Sequence, residues 1–219
     1  MVSSIIPGSE FLNGSLNLIS QNLLIPVIIL LLIFILYAVM VIGELIYEYI
    51  NRKKIPVSHI EKLIHDISLA DNEKYVKDII SASFISNMQK NDLTQLVSAN
   101  DLSKESSEAL ARKLIENEEN SIDKVLEKTD IMTRIGPTLG LMGTLIPMGP
   151  GLAALGNGDV NTLAQSIIIA FDTTVVGVAS GAVGYFVSKI RKRWYDEYLS
   201  NLDVLSDAVL DFLKSNKKI

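Results

Sequence analysis

The chain has 219 residues, enough for one ordinary domain or two small ones, of which 48% are hydrophobic, 6% aromatic and 21% charged. With a mean hydropathy of +0.32, one charged residue in five means that apolar and charged residues are segregated, as in a membrane protein. The lack of cysteine excludes a disulfide framework, a thiolate metal centre and a cysteine nucleophile, the two histidines (His59, His65) leave little for a zinc site, and a net charge of −5 argues against a general nucleic-acid binder.

Residues 1–22 read as a short external segment, with Pro7 and Gly8 in a leader and an interfacial stretch at 9–21. From Phe11 to Gly43 no residue is charged, and Leu23–Ile42 is almost continuously apolar. Twenty helical residues rise about 30 Å, the thickness of the hydrocarbon core, so residues 23–51 are assigned to a first transmembrane helix. A cleaved signal peptide fits poorly, because no lysine or arginine precedes the run and the apolar stretch is too long.

Residues 52–130 hold 12 basic and 15 acidic side chains, no glycine and one proline, Pro56. They read as a helical cytoplasmic domain. Ser58 with Glu61 suggests a capping box, and Ile60, Leu63, Ile64 and Ile67 follow at helical spacing. Asn100–Asp101 marks a break. After it, Leu110, Leu114, Ile122 and Leu126 predict a long helix running on into the membrane.

Residues 131–190 read as a two-span hairpin with an external turn at 156–161. Its first arm is uncharged from Ile135 to Gly158, and its second is uncharged from Val160 to Ser188 except for Asp172. Residues 191–219 predict a cytoplasmic amphipathic helix: Trp194, Tyr198, Leu202, Leu205, Val209 and Phe212 form one stripe, and Asp203, Asp207 and Asp211 line another face. That stripe needs a partner surface, for which the 52–130 helices or another subunit are the candidates. Lys and Arg set the orientation. Arg52, Lys53 and Lys54 follow the first span, Arg134 precedes the second, and Lys189, Arg191, Lys192 and Arg193 follow the third. Positive residues stay inside, which places the N-terminus outside and the C-terminus in the cytoplasm. The expected fold is an all-α integral membrane protein with three transmembrane helices, a helical cytoplasmic insertion and a helical cytoplasmic tail.

The motifs of phosphate binding, metalloprotease or serine-hydrolase chemistry are missing from the sequence. The polar content of the hairpin is what remains. Gly136, Gly140 and Gly143 form a small-residue stripe, and Gly177 and Gly181 form a GxxxG pair that Gly184 extends. Pro137, Pro147 and Pro150 break or kink the helix ladder. Tight packing accounts for most of these glycines, with a functional kink or pore turn as the added reading. Asp172 is a carboxylate deep in an apolar span, where an unpaired charge costs several kcal/mol. Thr144 lies at a comparable depth to Thr174, so the two suggest a polar belt. The candidate ion-pathway residues are therefore Thr144, Asp172, Thr173 and Thr174. The bland reading of Asp172 is a structural hydrogen bond, and of each threonine a bond to its own turn.

The segments IGPTLGLMGTLIPM and LAQSIIIAFDTTVVGVASG, in this order on consecutive spans, resemble the MotA/TolQ/ExbB proton-channel family. The motif resemblance covers residues 131–190, while the first span and the insertion match in architecture. It implies a homo-oligomer, a pentamer in the family, around a single-span partner resembling ExbD, TolR or MotB that carries a membrane Asp. Ion flow would then drive motion of one ring relative to the other. By the same resemblance, Thr144 and Thr174 match the threonines lining the family's passage. Biopolymer-transport members carry a Glu at the slot held here by Ile169, and Asp172 stands three residues on. The short insertion favours the TolQ/ExbB-like end over the flagellar one.

The expectation is an ion-conducting subunit of a motor complex in the inner membrane, passing H⁺ or Na⁺, without cofactor, catalysis or nucleic acid. A purely structural membrane scaffold is the alternative. A solute transporter is disfavoured because no internal repeat is seen.

Overall fold

A computed structural model describes residues 9–52 and 54–216. Every regular element among them is an α-helix: α1 (Ser9–Asn51), α2 (Val57–Ser68), α3 (Glu73–Ala82), α4 (Asn87–Ser98), α5 (Lys104–Gly156) and α6 (Val160–Asn216). The leader residues Pro7 and Gly8, and the basic Lys53, lie outside the described residues. α1, α5 and α6 are long and apolar enough to cross a membrane. The chain is an all-α membrane protein with three such helices. It divides into two compact units, residues 9–49 with 127–189 and residues 50–126 with 190–216.

The first unit contains α1 and the apolar arms of α5 and α6. α1 runs unbroken from Ser9 through Pro26, so the stretch read as an external segment from residue 9 on is helical and continuous with the apolar run. Two of its polar side chains bond along the helix: Gln21 donates to Asn17 at 3.1 Å, and Asn22 donates to the Leu18 carbonyl at 2.8 Å. One stripe of α1 is buried, Val27, Leu31, Ala38 and Val41. Val27 and Leu31 pack with Leu139 and Ile146 of α5, and Leu24, Phe34, Met142 and Val176 close around them. The rest of α1 exposes Ile25, Ile29, Leu32, Ile33, Leu36 and Val39. A helix that is apolar all round suits lipid or other membrane helices as its surroundings.

The second unit is a compact helical domain with a conventional core. The periodic α2 residues Ile60, Leu63 and Ile67 are buried there, as are Val76 and Ile80 of α3 and Leu93, Leu96 and Val97 of α4. Leu202, Leu205, Val209 and Phe212 of α6 complete it. The terminal amphipathic helix thus packs on the insertion, and Asp203, Asp207 and Asp211 face solvent.

The caps differ from expectation at one place. α2 is capped by Pro56, at φ −68° and ψ 147°, with no side-chain cap. Proline is already set for a helix entry, so the helix starts at Val57 and Ser58 falls inside the first turn, where it cannot form the box expected with Glu61. The box occurs instead at α4, where the Gln89 N–H donates to Ser86 Oγ at 3.2 Å and the Ser86 N–H donates to Gln89 Oε1 at 3.1 Å. Gln89 Nε2 also donates to the Tyr198 carbonyl at 3.0 Å, tying the start of α4 to α6. Asn72 caps α3 through the Tyr75 N–H at 2.9 Å. The break at Asn100–Asp101 is real: α4 ends at Ser98 and α5 begins at Lys104. Arg52 pairs with Glu197 at 2.8 Å, and its guanidinium lies 5.0 Å over the Trp194 ring.

Leu205 is fully buried and Val204 beside it is 43% exposed. Leu205→Ala is expected to cost about 2–5 kcal/mol and Val204→Ala within about 0.5 kcal/mol. Denaturant unfolding of the detergent-solubilised protein, followed by the fluorescence of Trp194, the chain's single tryptophan, measures both.

Candidate functional site

The polar and small residues of the membrane unit meet where α5 and α6 pack as an antiparallel pair. Residues 157–159 join the two helices. Gly158 adopts φ +82°, a left-handed conformation that ends a helix at little cost only for glycine. The Asn157 and Asp159 N–H groups donate to the Ala154 carbonyl, both at 3.0 Å. Asp159 then caps α6, accepting from the Thr162 N–H at 3.1 Å and the Thr162 hydroxyl at 2.5 Å. These hydrogen bonds hold the exposed Asp159 carboxyl below its ordinary range.

Backbone meets backbone along the pair. A Cβ on Gly177 would stand 2.6 Å from the Gly136 carbonyl oxygen and 2.8 Å from Gly140 Cα. A Cβ on Gly143 would stand 2.5 Å from Thr173 Cβ, one on Gly136 2.9 Å from Ser180 Oγ, and one on Gly181 2.7 Å from the Pro137 ring. The small-residue stripes of the two helices therefore face each other. α5 is helical through Pro137, Pro147 and Pro150, so no pore turn interrupts this arm. The contacts also set the register. Gly136 faces Gly177–Gly181, Gly143 faces Thr173, and Gly151 faces Ser166, which puts Thr144 level with Asp172 and Thr173.

The four candidate ion-pathway residues do not form one cluster. Thr173 is 7% exposed and lies in the contact itself; its hydroxyl donates to the carbonyls of Ile169 at 2.9 Å and Ala170 at 3.1 Å. Thr144 donates to the Leu141 carbonyl at 2.7 Å, and Thr174 to the Ala170 carbonyl at 2.8 Å. Both are only half-buried. With the proton tied back to the helix, each hydroxyl presents its oxygen lone pairs outward, as an acceptor for water, hydronium or a small cation.

Asp172 is exposed and makes no hydrogen bond or ion pair among the described residues. It sits on a different flank from Thr174. Met142, Ile146 and Val176 mark the side on which α1 packs. Asp172 lies one turn before Val176 and shares its face. Thr174 is two residues from each, and Thr144 is two residues from both Met142 and Ile146. Two residues rotate a helix by about 200°, so both threonines stand on the flank away from α1 and Asp172 stands on the α1 flank.

Sequence reasoning did not pair residues across the open end of the hairpin, away from the Gly158 turn. There Ser188 donates to Asp130 Oδ1 at 2.5 Å, Thr133 donates to the Thr129 carbonyl at 2.8 Å, and Gly184 faces both threonines. Nothing local marks Asp130 and Ser188 as partners; only the hairpin register aligns them. Arg191, read as one of a cluster of topology anchors, is 3% exposed in the second unit, whereas Lys192 and Arg193 are exposed.

A family model described as the MotA/TolQ/ExbB proton channel family matches residues 76–203. The match takes in all of α4 and α5 and most of α6, and so both arms of the hairpin. No curated protein matches the chain.

The close contact makes an asymmetric prediction. Gly177→Ala drives a methyl into backbone, which cannot yield as a side-chain end can, and is expected to destabilise the hairpin by about 1–3 kcal/mol. Gly149→Ala, with open space around it, is expected to be tolerated. Thermal aggregation of the two variants in detergent, monitored by size exclusion, separates them.

Proposed function

The chain belongs to the MotA/TolQ/ExbB proton channel family, and we propose that it is the ion-conducting subunit of a complex driven by an ion gradient. Several copies, a pentamer by resemblance, form a ring in the inner membrane around a single-span partner of the ExbD, TolR or MotB kind that contributes a membrane Asp. Flow through the ring moves it relative to the partner. The short insertion supports the TolQ/ExbB-like end of the family over the flagellar one.

The observation that carries this reading is Asp172, a carboxylate in mid-span without a partner among the described residues. An ionised carboxylate facing hydrocarbon costs several kcal/mol, so Asp172 calls for a proton, water or another chain. Thr144 and Thr174 supply the second part. They stand on the flank free of α1, where a ring with α1 outermost turns them toward the central partner. Their lone pairs pass an ion along while Asp172, at the same level on the other flank, binds and releases a proton where copies meet. Thr173 has a packing role in this scheme. The ion is a proton; because threonine oxygens also suit Na⁺, the gradient that drives flux decides between them.

The orientation is supported by the second unit. Residues 50–126 and 190–216 fold together, so they share one side of the membrane, as α1, α5 and α6 each crossing once requires. Arg52, Lys54, Lys192 and Arg193 belong to that unit, which supports a cytoplasmic side there and an N-terminus outside. No step in this scheme uses a cofactor or covalent catalysis.

Reconstituted with its single-span partner, the complex is expected to lose at least about tenfold in proton flux with Asp172→Asn or Thr174→Val, a change of about 1.4 kcal/mol or more in barrier. The ring mass stays unchanged. Thr173→Val, isosteric and already satisfied within its own helix, keeps flux within about twofold. Wild-type flux in both Asp172→Asn and Thr174→Val would leave the structural scaffold as the better reading, and flux that follows only a Na⁺ gradient would change the ion.

A further inference from the structure

The second unit contains an acidic site that passage through the membrane does not use. Asp92 on α4 is half-buried, and its Oδ2 is buried without a hydrogen-bond partner. Glu118 of α5 acts on it through its charge, and Asp92 in turn acts on Tyr198 of α6. The Tyr198 hydroxyl donates to Glu118 Oε2 at 2.9 Å, and the cap residue Ser86 also hydrogen-bonds this phenol. The phenolic proton is thus committed to Glu118, and Asp92 Oδ2 is left without a donor.

Burial first, and then the charge of Glu118, push the Asp92 carboxyl up to about 6. Burial raises the Tyr198 phenol well above its ordinary range, so Tyr198 stays protonated and a donor throughout. When Asp92 is ionised, two like charges face each other and Oδ2 remains unsatisfied. A proton on Asp92 removes the repulsion and gives this carboxyl a donor of its own.

We propose that Asp92, Glu118 and Tyr198 form a proton-operated clasp. Uptake of one proton by Asp92 fastens α4 onto α5 and α6, and its release loosens them. The sign follows from linkage. A carboxyl raised in the folded state carries a penalty when ionised; this is full above about 6 and is relieved as pH falls from there toward its ordinary value of 3.8. The unit tightens on mild acidification. The clasp stands on the second unit alone. Only its consequence, that protons delivered to this side stiffen the domain receiving them, rests on the proposed function.

The test uses the full chain in lipid nanodiscs, with hydrogen exchange corrected for the intrinsic pH dependence of the amides. In the wild type, protection of α4 is expected to rise about fourfold between about pH 7.5 and about pH 5.5. Asp92→Asn should show the high protection at both values. Equal protection at both pH values in the wild type, or an unchanged rise in Asp92→Asn, would overturn the clasp. A second measurement keeps the test open if Asp92→Asn folds poorly. The carboxylic-acid carbonyl band in pH-difference infrared spectra should appear with a midpoint near 6 in the wild type and move to lower pH in Glu118→Gln, which keeps the burial and removes the neighbouring charge. A midpoint that ignores Glu118→Gln would also overturn it. Neither readout involves ion flux, so failure of the clasp and failure of the channel reading are separable.

Discussion

The membrane unit depends on the approach of two backbones at Gly177, where a single added carbon would collide with Gly136 and Gly140. Lipid tails are as apolar as leucine, so burial of apolar surface does little to hold membrane helices together. Van der Waals contact between closely fitted surfaces does much more. Thr173 against Gly143, and Pro137 against Gly181, continue that contact along the pair. Once the register is set, the rest of the site follows. Thr144 comes level with Asp172, Asp130 comes level with Ser188, and every other side chain is assigned to one flank or the other.

The second unit solves a different problem. Its helices face water, so α2, α3, α4 and the end of α6 bury apolar stripes against one another in the usual way. The end of α6 belongs here while its apolar arm belongs to the membrane unit, so one helix obeys both sets of rules in turn. Its composition records the change. Glycine, serine and threonine dominate the contacts near Thr173–Gly184, and leucine, valine and phenylalanine take over from Leu202.

Much of this was legible because it is local. A run without charge from Phe11 to Gly43 reads as a span wherever it occurs, and the Leu202–Phe212 stripe announces a buried face before its partner is known. The start of α2 was misread because Ser58 and Glu61 have the spacing of a box, but Pro56 is a stronger entry signal two residues earlier. The threonines and Asp172 were grouped by depth, which a sequence does report. Facing is another matter. The spacing of two between Asp172 and Thr174 already implies opposite flanks, but only Val176 and Met142, packed around α1, show which flank is which. The Asp92, Glu118 and Tyr198 cluster draws on three helices far apart in the chain and carries no motif.

The glycine contact also limits how this hairpin can take part in any working cycle. Two helices that interlock through main-chain atoms have almost no rotamers to rearrange, and sliding by one residue would bring Thr173 or Pro137 against backbone. The pair therefore behaves as a stiff blade. Any displacement of the pair against its surroundings has to be absorbed along the blade's outer edges, where bulky side chains such as Phe171, Val175 and Val178 are exposed.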